Sequence, residues 1–263
     1  MAPRSLHETA ALRHHIAVAL NELIQKLPIA TTVVAFAFAM ALFNHWQKRK
    51  EATHLAWWTL GIILYGAGTL TESAHAFLGW NEWIFRAWYI AGALLGAAPL
   101  AQGTVYLLLR KKTANQLSLV LLIAIMAGSI CVLASPIDYT KVDANRLTGS
   151  VFLWQWVRWF SPFINLYALV FLAGGAIYSA WRYAKLQSSA NRCAGNVLIA
   201  AGALLPGIGG TFTRFGHTEW LYVTELFALI LIWLGYALIK NDPGPTIHAV
   251  TRRAADGPKL EPD

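Results

Sequence analysis

The chain has 263 residues, of which 57% are hydrophobic and only 13% are charged, whereas a soluble domain is about one quarter charged. This composition leaves little room for a soluble domain and predicts a membrane protein. The net charge of +8 does not indicate nucleic-acid binding, because the basic residues lie in short clusters between apolar segments rather than on one basic domain. We therefore expect the partner of the chain to be the lipid bilayer and not nucleic acid.

The first predicted unit is an N-terminal segment over residues 1–28. It mixes basic, acidic and histidine residues without the short apolar core of a cleaved signal peptide. Residues 16–27 place their large apolar side chains on one helical face. This pattern predicts an amphipathic helix that lies at the membrane surface and ends before Pro28.

A transmembrane domain is predicted over residues 29–240, because apolar segments recur there with a polar break at each junction. About 20 apolar residues cross a bilayer as a helix. Seven segments meet or approach this length: 29–46, 56–79, 84–109, 117–135, 154–181, 194–214 and 220–240. The predicted fold is an all-α membrane protein with a bundle of seven transmembrane helices. Residues 241–263 mix proline, glycine and charge without periodicity, so we expect a disordered cytoplasmic tail.

The orientation follows from the distribution of lysine and arginine. Counted along the seven-segment layout, 13 of the 21 basic residues fall on the side of the odd-numbered loops and the C-terminus. Basic residues near helix ends concentrate on the cytoplasmic side. The sequence therefore predicts that the N-terminus lies outside and the C-terminus lies in the cytoplasm, in a multi-pass protein of a bacterial-type cytoplasmic membrane.

Charged residues such as Glu72, Arg86, Arg214 and Glu225 lie within or at the edge of apolar segments, where each costs about 2.5 to 3.5 kcal/mol unless it has a partner. If neighbouring segments form antiparallel hairpins, Glu72 approaches Arg86 and Glu225 approaches Arg214, with both acids at a similar depth in the outer half. Two interpretations stay open. The charges form two structural ion pairs that fix hairpin packing, or the acids face one outer, aromatic-rich cavity and bind a cation, a proton or a polar ligand.

Further residues join this candidate site. His75 follows Glu72 by three residues and shares its helical face, while the tryptophans and polar residues of the outer ends supply others. The predicted ligand-binding residues are Glu72, His75, Arg86, Trp154, Arg158, Thr211, Arg214 and Glu225. A single Glu-x-x-His pair lacks the additional ligands that a metal requires, so we predict no metal, no cofactor and no catalytic residue.

Glycine and proline predict irregular helices at two positions. Residues 206–210 of the sixth segment read PGIGG, which predicts a kink or an unwound segment, because proline removes a helical hydrogen bond and glycine weakens a helix. Unwound backbone at membrane depth is tolerated where it is packed or lines a cavity. Gly92 and Gly96 of the third segment predict a close helix contact.

The general layout is similar to that of the seven-helix sensor modules of bacterial membrane proteins. A microbial rhodopsin is excluded because the seventh segment has no lysine in its middle, and a seven-helix metal hydrolase is excluded because the last two segments contain no histidine. We expect a sensor or receptor-like module that binds a small ligand or cation and acts through a cytoplasmic protein partner. A structural or assembly subunit of a membrane complex and a transporter of a small solute or ion are the alternatives. An enzyme is least expected, because no nucleophile, acid and base occur at a usable spacing.

Overall fold

The computed structural model describes residues 24, 26–144, 146–186 and 189–243, without the side chains of Arg214 and Thr218. The predicted surface helix and cytoplasmic tail lie almost entirely outside these residues and stay predictions. Within the described ranges the long elements are all helices, and β-pairing is limited to two isolated bridges.

Seven long helices occur in the described part of the chain. Their bounds are α1 Leu27–Lys48, α2 Thr53–Leu78, α3 Glu82–Leu108, α4 Lys111–Ala134, α5 Gln155–Lys185, α6 Ala190–Arg214 and α7 Thr218–Lys240. α3 contains a π-helical segment, Tyr89–Leu95, and α5 contains another, Leu169–Gly174. The predicted bounds differ by a few residues except in α4. That helix begins six residues earlier than expected, because its first turns are helical although their residues are polar.

Six of these helices, α1 and α3 to α7, are long and apolar enough to cross a membrane. The prediction of an all-α, multi-pass membrane protein is confirmed at this level. The second predicted segment forms α2, which is 26 residues long but is not one of the six. The seventh span therefore stays a prediction, as does the orientation.

Neighbouring helices pack in a ring. In the described residues α1 lies between α2 and α7, α3 packs on α2 and α5, and α6 packs on α5 and α7. α4 packs against α3 and α5 from outside the ring and is one of the less buried spans. The core inside the ring is apolar, with Phe38, Ile62 and Leu229 at most 1% exposed. In lipid this core stabilises the fold chiefly through van der Waals contact, since lipid tails are as apolar as leucine.

Glycines allow α6 and α7 to approach closely. Gly195, Gly202 and Gly209 are spaced by seven residues, which places them on one face of α6. A Cβ atom added to Gly202 would lie 2.7 Å from the carbonyl oxygen of Ala228 on α7. Small residues at such contacts are typical of membrane helix pairs.

The sequence predicts a kink or an unwound segment in the sixth helix; the unwound alternative is wrong, and the kink stays a prediction. Pro206 lies inside α6, which continues as a helix to Arg214. Gly207 and Gly210 face open space, since a Cβ atom at either position would have no neighbour within 4 Å. The loss of one hydrogen bond at Pro206 is tolerated because α6 packs on α7 on both sides of it.

The predicted close helix contact at Gly92 is present, and the glycine that takes part in it with Gly92 is Gly68 of α2 and not Gly96 of the same helix. A Cβ atom added to Gly68 of α2 would lie 3.1 Å from the Cα atom of Gly92. Gly96 instead follows the last residue of the π-helical segment of α3. The close contact therefore joins α2 to α3 at Gly68 and Gly92.

Residues 135–144 and 146–154, which lie between α4 and α5, form a small folded unit that we call the cap. Phe152 of the cap is fully buried, and its ring lies 5.0 Å from that of Phe85 and 4.9 Å from that of Tyr89. These contacts fix the cap against the start of α3. We call this the cap end of the bundle, and the opposite end, which carries Arg49, Arg110 and Lys240, the basic end.

Candidate functional site

Two glutamates from distant parts of the chain meet inside the bundle near the cap end. Glu72 lies six residues before the end of α2, and Glu225 lies seven residues after the start of α7. At 1.5 Å per residue both lie about 10 Å from the helix ends. Their carboxyl groups are neighbours within hydrogen-bonding reach of each other. We call Glu72 and Glu225 the acid pair.

The acid pair is buried and poorly supplied with hydrogen-bond donors. Glu72 is 5% exposed, and Glu225 is half-buried as a residue although its Oε2 atom is inaccessible. Trp88 Nε1 donates to Glu72 Oε1 over 3.0 Å. Oε2 of each glutamate receives no hydrogen bond from the described groups. Carboxylates only accept hydrogen bonds, so two adjacent ones need a shared proton or a bound cation to coexist in a buried site.

Tyrosines complete the surroundings of the acid pair. The hydroxyl of Tyr65 on α2 donates to the backbone carbonyl of Glu225 over 2.8 Å. Tyr222 lies one turn before Glu225 on α7 and is near enough to interact electrostatically with both acids. The site therefore consists of two acids bordered by the indole of Trp88 and the phenols of Tyr65 and Tyr222, and it lies between α2 and α7.

Arg86 does not pair with Glu72, so the predicted Glu72–Arg86 ion pair is wrong. Its guanidinium group binds Glu82 of its own helix, with Nη2 2.7 Å from Oε1. It also donates to the carbonyl groups of Val132, Leu133 and Ser135 at the end of α4. Carbonyl groups at the end of a helix lack helical partners and attract cations. Arg86 therefore caps α4 and fixes it to α3.

The predicted partner of the second acid, Glu225, is Arg214. The side chain of Arg214 lies outside the described part of the chain. The Glu225–Arg214 ion pair stays a prediction.

The remaining predicted site residues lie at different places in the structure. His75 is buried one turn from Glu72, and its Nδ1 atom has no hydrogen-bond partner among the described groups. Trp154 stacks on Trp156 at the edge of the cap, and Arg158 donates to Gln155 at the start of α5. Thr211 is exposed on α6, where its hydroxyl donates to the carbonyl of Gly207. The contacts of the described side chains do not bring Trp154, Arg158 or Thr211 to the acid pair. Their role in ligand binding stays a prediction.

Three residues around the acid pair were not predicted. Tyr222 precedes Glu225 by three residues and Tyr65 precedes Glu72 by seven, so helical periodicity alone could have identified both. Trp88 gave no such signal, because its approach to Glu72 depends on how α3 packs on α2. Trp88 also lies against Phe85, with ring centroids 6.1 Å apart, and so connects the acid pair with the aromatic core under the cap.

A second polar cluster lies at the basic end. His45 Nδ1 of α1 and the hydroxyl of Tyr236 on α7 are 2.7 Å apart, and His54 of α2 is near enough to interact electrostatically with His45. Between this cluster and the acid pair the interior is filled by apolar residues such as Ile62 and Leu229, both 0% exposed. The two polar clusters are therefore separated by packed core.

Comparison with known proteins gave no match to a family model, a curated protein or a solved structure. Among the described residues no group of three or more histidine, cysteine, aspartate or glutamate side chains is arranged to hold a metal ion. The geometry of the acid pair therefore carries the functional argument.

Proposed function

We propose that the chain is a sensor-like integral membrane protein that binds a proton or a small monovalent cation at the acid pair. The observation that carries the proposal is the meeting of two buried carboxyl groups, each with an oxygen that no described donor reaches. A buried charge without a partner is too costly to persist. A shared proton or a cation between Glu72 and Glu225 removes that cost, so occupancy of the site is coupled to the packing of α2 and α7.

We further propose that all seven long helices cross the membrane, with the N-terminus outside and the basic end in the cytoplasm. The low hydropathy of α2 is consistent with a span whose polar face is shielded by its neighbours, since Thr69, Glu72 and Ser73 are all buried. The lysines and arginines of the basic end fit the cytoplasmic side of a bilayer.

The signal would pass along α7 to a cytoplasmic protein partner. Tyr236 follows Glu225 by eleven residues, which returns to nearly the same helical face about 16 Å away. Movement of α7 at the acid pair therefore acts on the bond between Tyr236 and His45 at the basic end. The packed apolar core between the two clusters, with Ile62 and Leu229 both 0% exposed, favours this role over transport.

A test compares Glu225→Gln with the wild-type protein in detergent. We expect Na⁺, K⁺ or tetramethylammonium, titrated at several pH values, to raise the melting temperature of the wild-type protein. Saturation at 100 times Kd corresponds to about 2.7 kcal/mol. Glu225→Gln should keep or raise the unliganded stability, because it removes a buried charge, and should lose the response. Glu219→Gln is the matched control, since Glu219 lies on the same helix but at its exposed end, bonded to His217.

The opposite result identifies a structural role. If Glu225 pairs with Arg214, Glu225→Gln should lower stability by about 3 to 5 kcal/mol, because it strands a buried charge, and addition of Arg214→Gln should restore much of the loss. That outcome, together with a wild-type protein that responds to neither cation nor pH, would leave a structural or assembly subunit as the function.

A further inference from the structure

His75 is a buried imidazole whose packing does not explain its chemistry. The residue is 6% exposed, and its Nδ1 atom is buried without a hydrogen-bond partner among the described groups. Leaving a buried polar atom unpaired costs about 1 to 3 kcal/mol. A leucine or phenylalanine at this position would fill the space without that cost, so the imidazole is better explained by a function than by packing.

The position of His75 lies between the cap and the acid pair. It follows Glu72 by three positions on the same face of α2, and it is the nearer of the two to the cap end. On its other side Asp143 of the cap is near enough to interact electrostatically with it. The carboxyl group of Asp143 is 39% exposed and lies 3.0 Å from Arg146. An exposed acid, a buried imidazole and a buried acid thus follow one another into the bundle.

We propose that His75 relays protons between the surface of the cap and Glu72, which rests on the proposed function of the acid pair. A hydronium ion or buffer acid at the surface protonates the carboxylate of Asp143, which passes the proton on to one ring nitrogen of His75. His75 Nδ1 and Glu72 Oε2 have no hydrogen-bond partner among the described groups, so the imidazole turns towards Glu72 before the N–H bond at the other nitrogen breaks and its proton binds a carboxylate oxygen of Glu72. The ring returns to its neutral form as the other tautomer, and one proton has moved inward without any redox change.

The charged surroundings are consistent with entry from the cap end. The ionisable groups near this path are Glu72 on α2 itself, Asp143 with Arg146 in the cap, and the Arg86–Glu82 pair on α3. Arg86 is held by the carbonyl groups of α4, so it does not compete for the acids. Entry from the basic end would have to cross the apolar core at Ile62 and Leu229.

The relay predicts that loss of His75 changes the rate of proton uptake without changing the amount of proton taken up. In full-length protein the carboxyl C=O infrared band is followed after a rapid drop in pH, and Glu72→Gln identifies the part that belongs to the acid pair. His75→Gln should slow proton uptake by about 100-fold, within the range by which a positioned acid or base accelerates proton transfer, and leave its amplitude unchanged. Imidazole added to the buffer should restore part of the rate. His217→Gln is the matched control, because His217 lies at the same end but is 57% exposed.

The outcomes separate the relay from the acid pair. A wild-type rate in His75→Gln overturns the relay while the acid pair still takes up its proton. If His75→Gln does not fold, Asp143→Asn decides, since a slower uptake supports the relay and a wild-type rate overturns it. A wild-type protein with no band sensitive to Glu72→Gln shows instead that the acid pair binds no proton, which is a failure of the proposed function.

Discussion

At the scale of single residues, four charged side chains that looked alike in sequence have different surroundings. Glu72 and Glu225 face each other with few donors, whereas Arg86 is surrounded by acceptors. A buried arginine presents five donors in a planar fork, and the end of α4 supplies carbonyl groups that need them. The acids are therefore the candidates for exchangeable chemistry, and Arg86 has a structural role.

We expect Arg86→Met to destabilise the protein by about 1 to 3 kcal/mol for each buried carbonyl group at the end of α4 that loses its donor, while keeping much of the side-chain volume. Glu82→Gln should cost less, since the Glu82 side chain is 32% exposed and the carbonyl contacts of Arg86 remain. Chemical denaturation of both variants in the same detergent measures the difference. Equal stability of Arg86→Met and the wild-type protein would show that the contacts of Arg86 with the end of α4 contribute nothing to stability.

At the scale of helices, the features that the sequence could predict are those set by periodicity and composition. The positions of the helices followed from the apolar segments to within a few residues outside α4. The π-helical segments of α3 and α5, the continuity of α6 through Pro206 and the contact of Gly68 with Gly92 did not follow. Each depends on which helix packs against which, and a single chain read in order carries no such information.

The glycine face of α6 gives a paired comparison on one helix. Gly202→Ala should destabilise the protein by about 1 to 3 kcal/mol, because its Cβ would lie 2.7 Å from the Ala228 carbonyl oxygen and 2.8 Å from Cγ1 of Ile232. Gly207→Ala meets nothing within 4 Å and should be neutral or stabilising by up to about 1 kcal/mol, since alanine favours a helix. Thermal unfolding of the two variants decides. Equal effects would mean that helix propensity, not contact with α7, governs both positions.

At the scale of the whole molecule, the candidate site was partly predictable. The cost of a charge in lipid singled out Glu72 and Glu225 as residues in need of a partner, and equal depth in two hairpins suggested that they share one region. Of their neighbours, Tyr65 and Tyr222 could have been identified by helical periodicity, whereas Trp88 could not. Closure of the ring places α7 beside α1 and within side-chain reach of α2, which brings the acids to each other and leaves Arg86 to the end of α4.

Residues at the two ends of α2 test how many helices cross the membrane and in which direction. If α2 crosses, Glu51 at the basic end and Leu78 at the cap end lie on opposite sides of the bilayer. If it does not, both lie on the same side.

The experiment uses single-cysteine variants Glu51→Cys and Leu78→Cys in a background with Cys131 and Cys193 replaced by serine, and both positions are exposed. We expect an impermeant maleimide added to intact cells to label Leu78→Cys, and Glu51→Cys to react only after the cells are opened. Thr140→Cys in the cap should behave like Leu78→Cys, and Lys112→Cys at the start of α4 should behave like Glu51→Cys. Labelling of Glu51→Cys alone in intact cells would reverse the orientation. Labelling of both variants or of neither, with the controls as expected, would remove α2 from the spans and with it the depth at which the acid pair is placed.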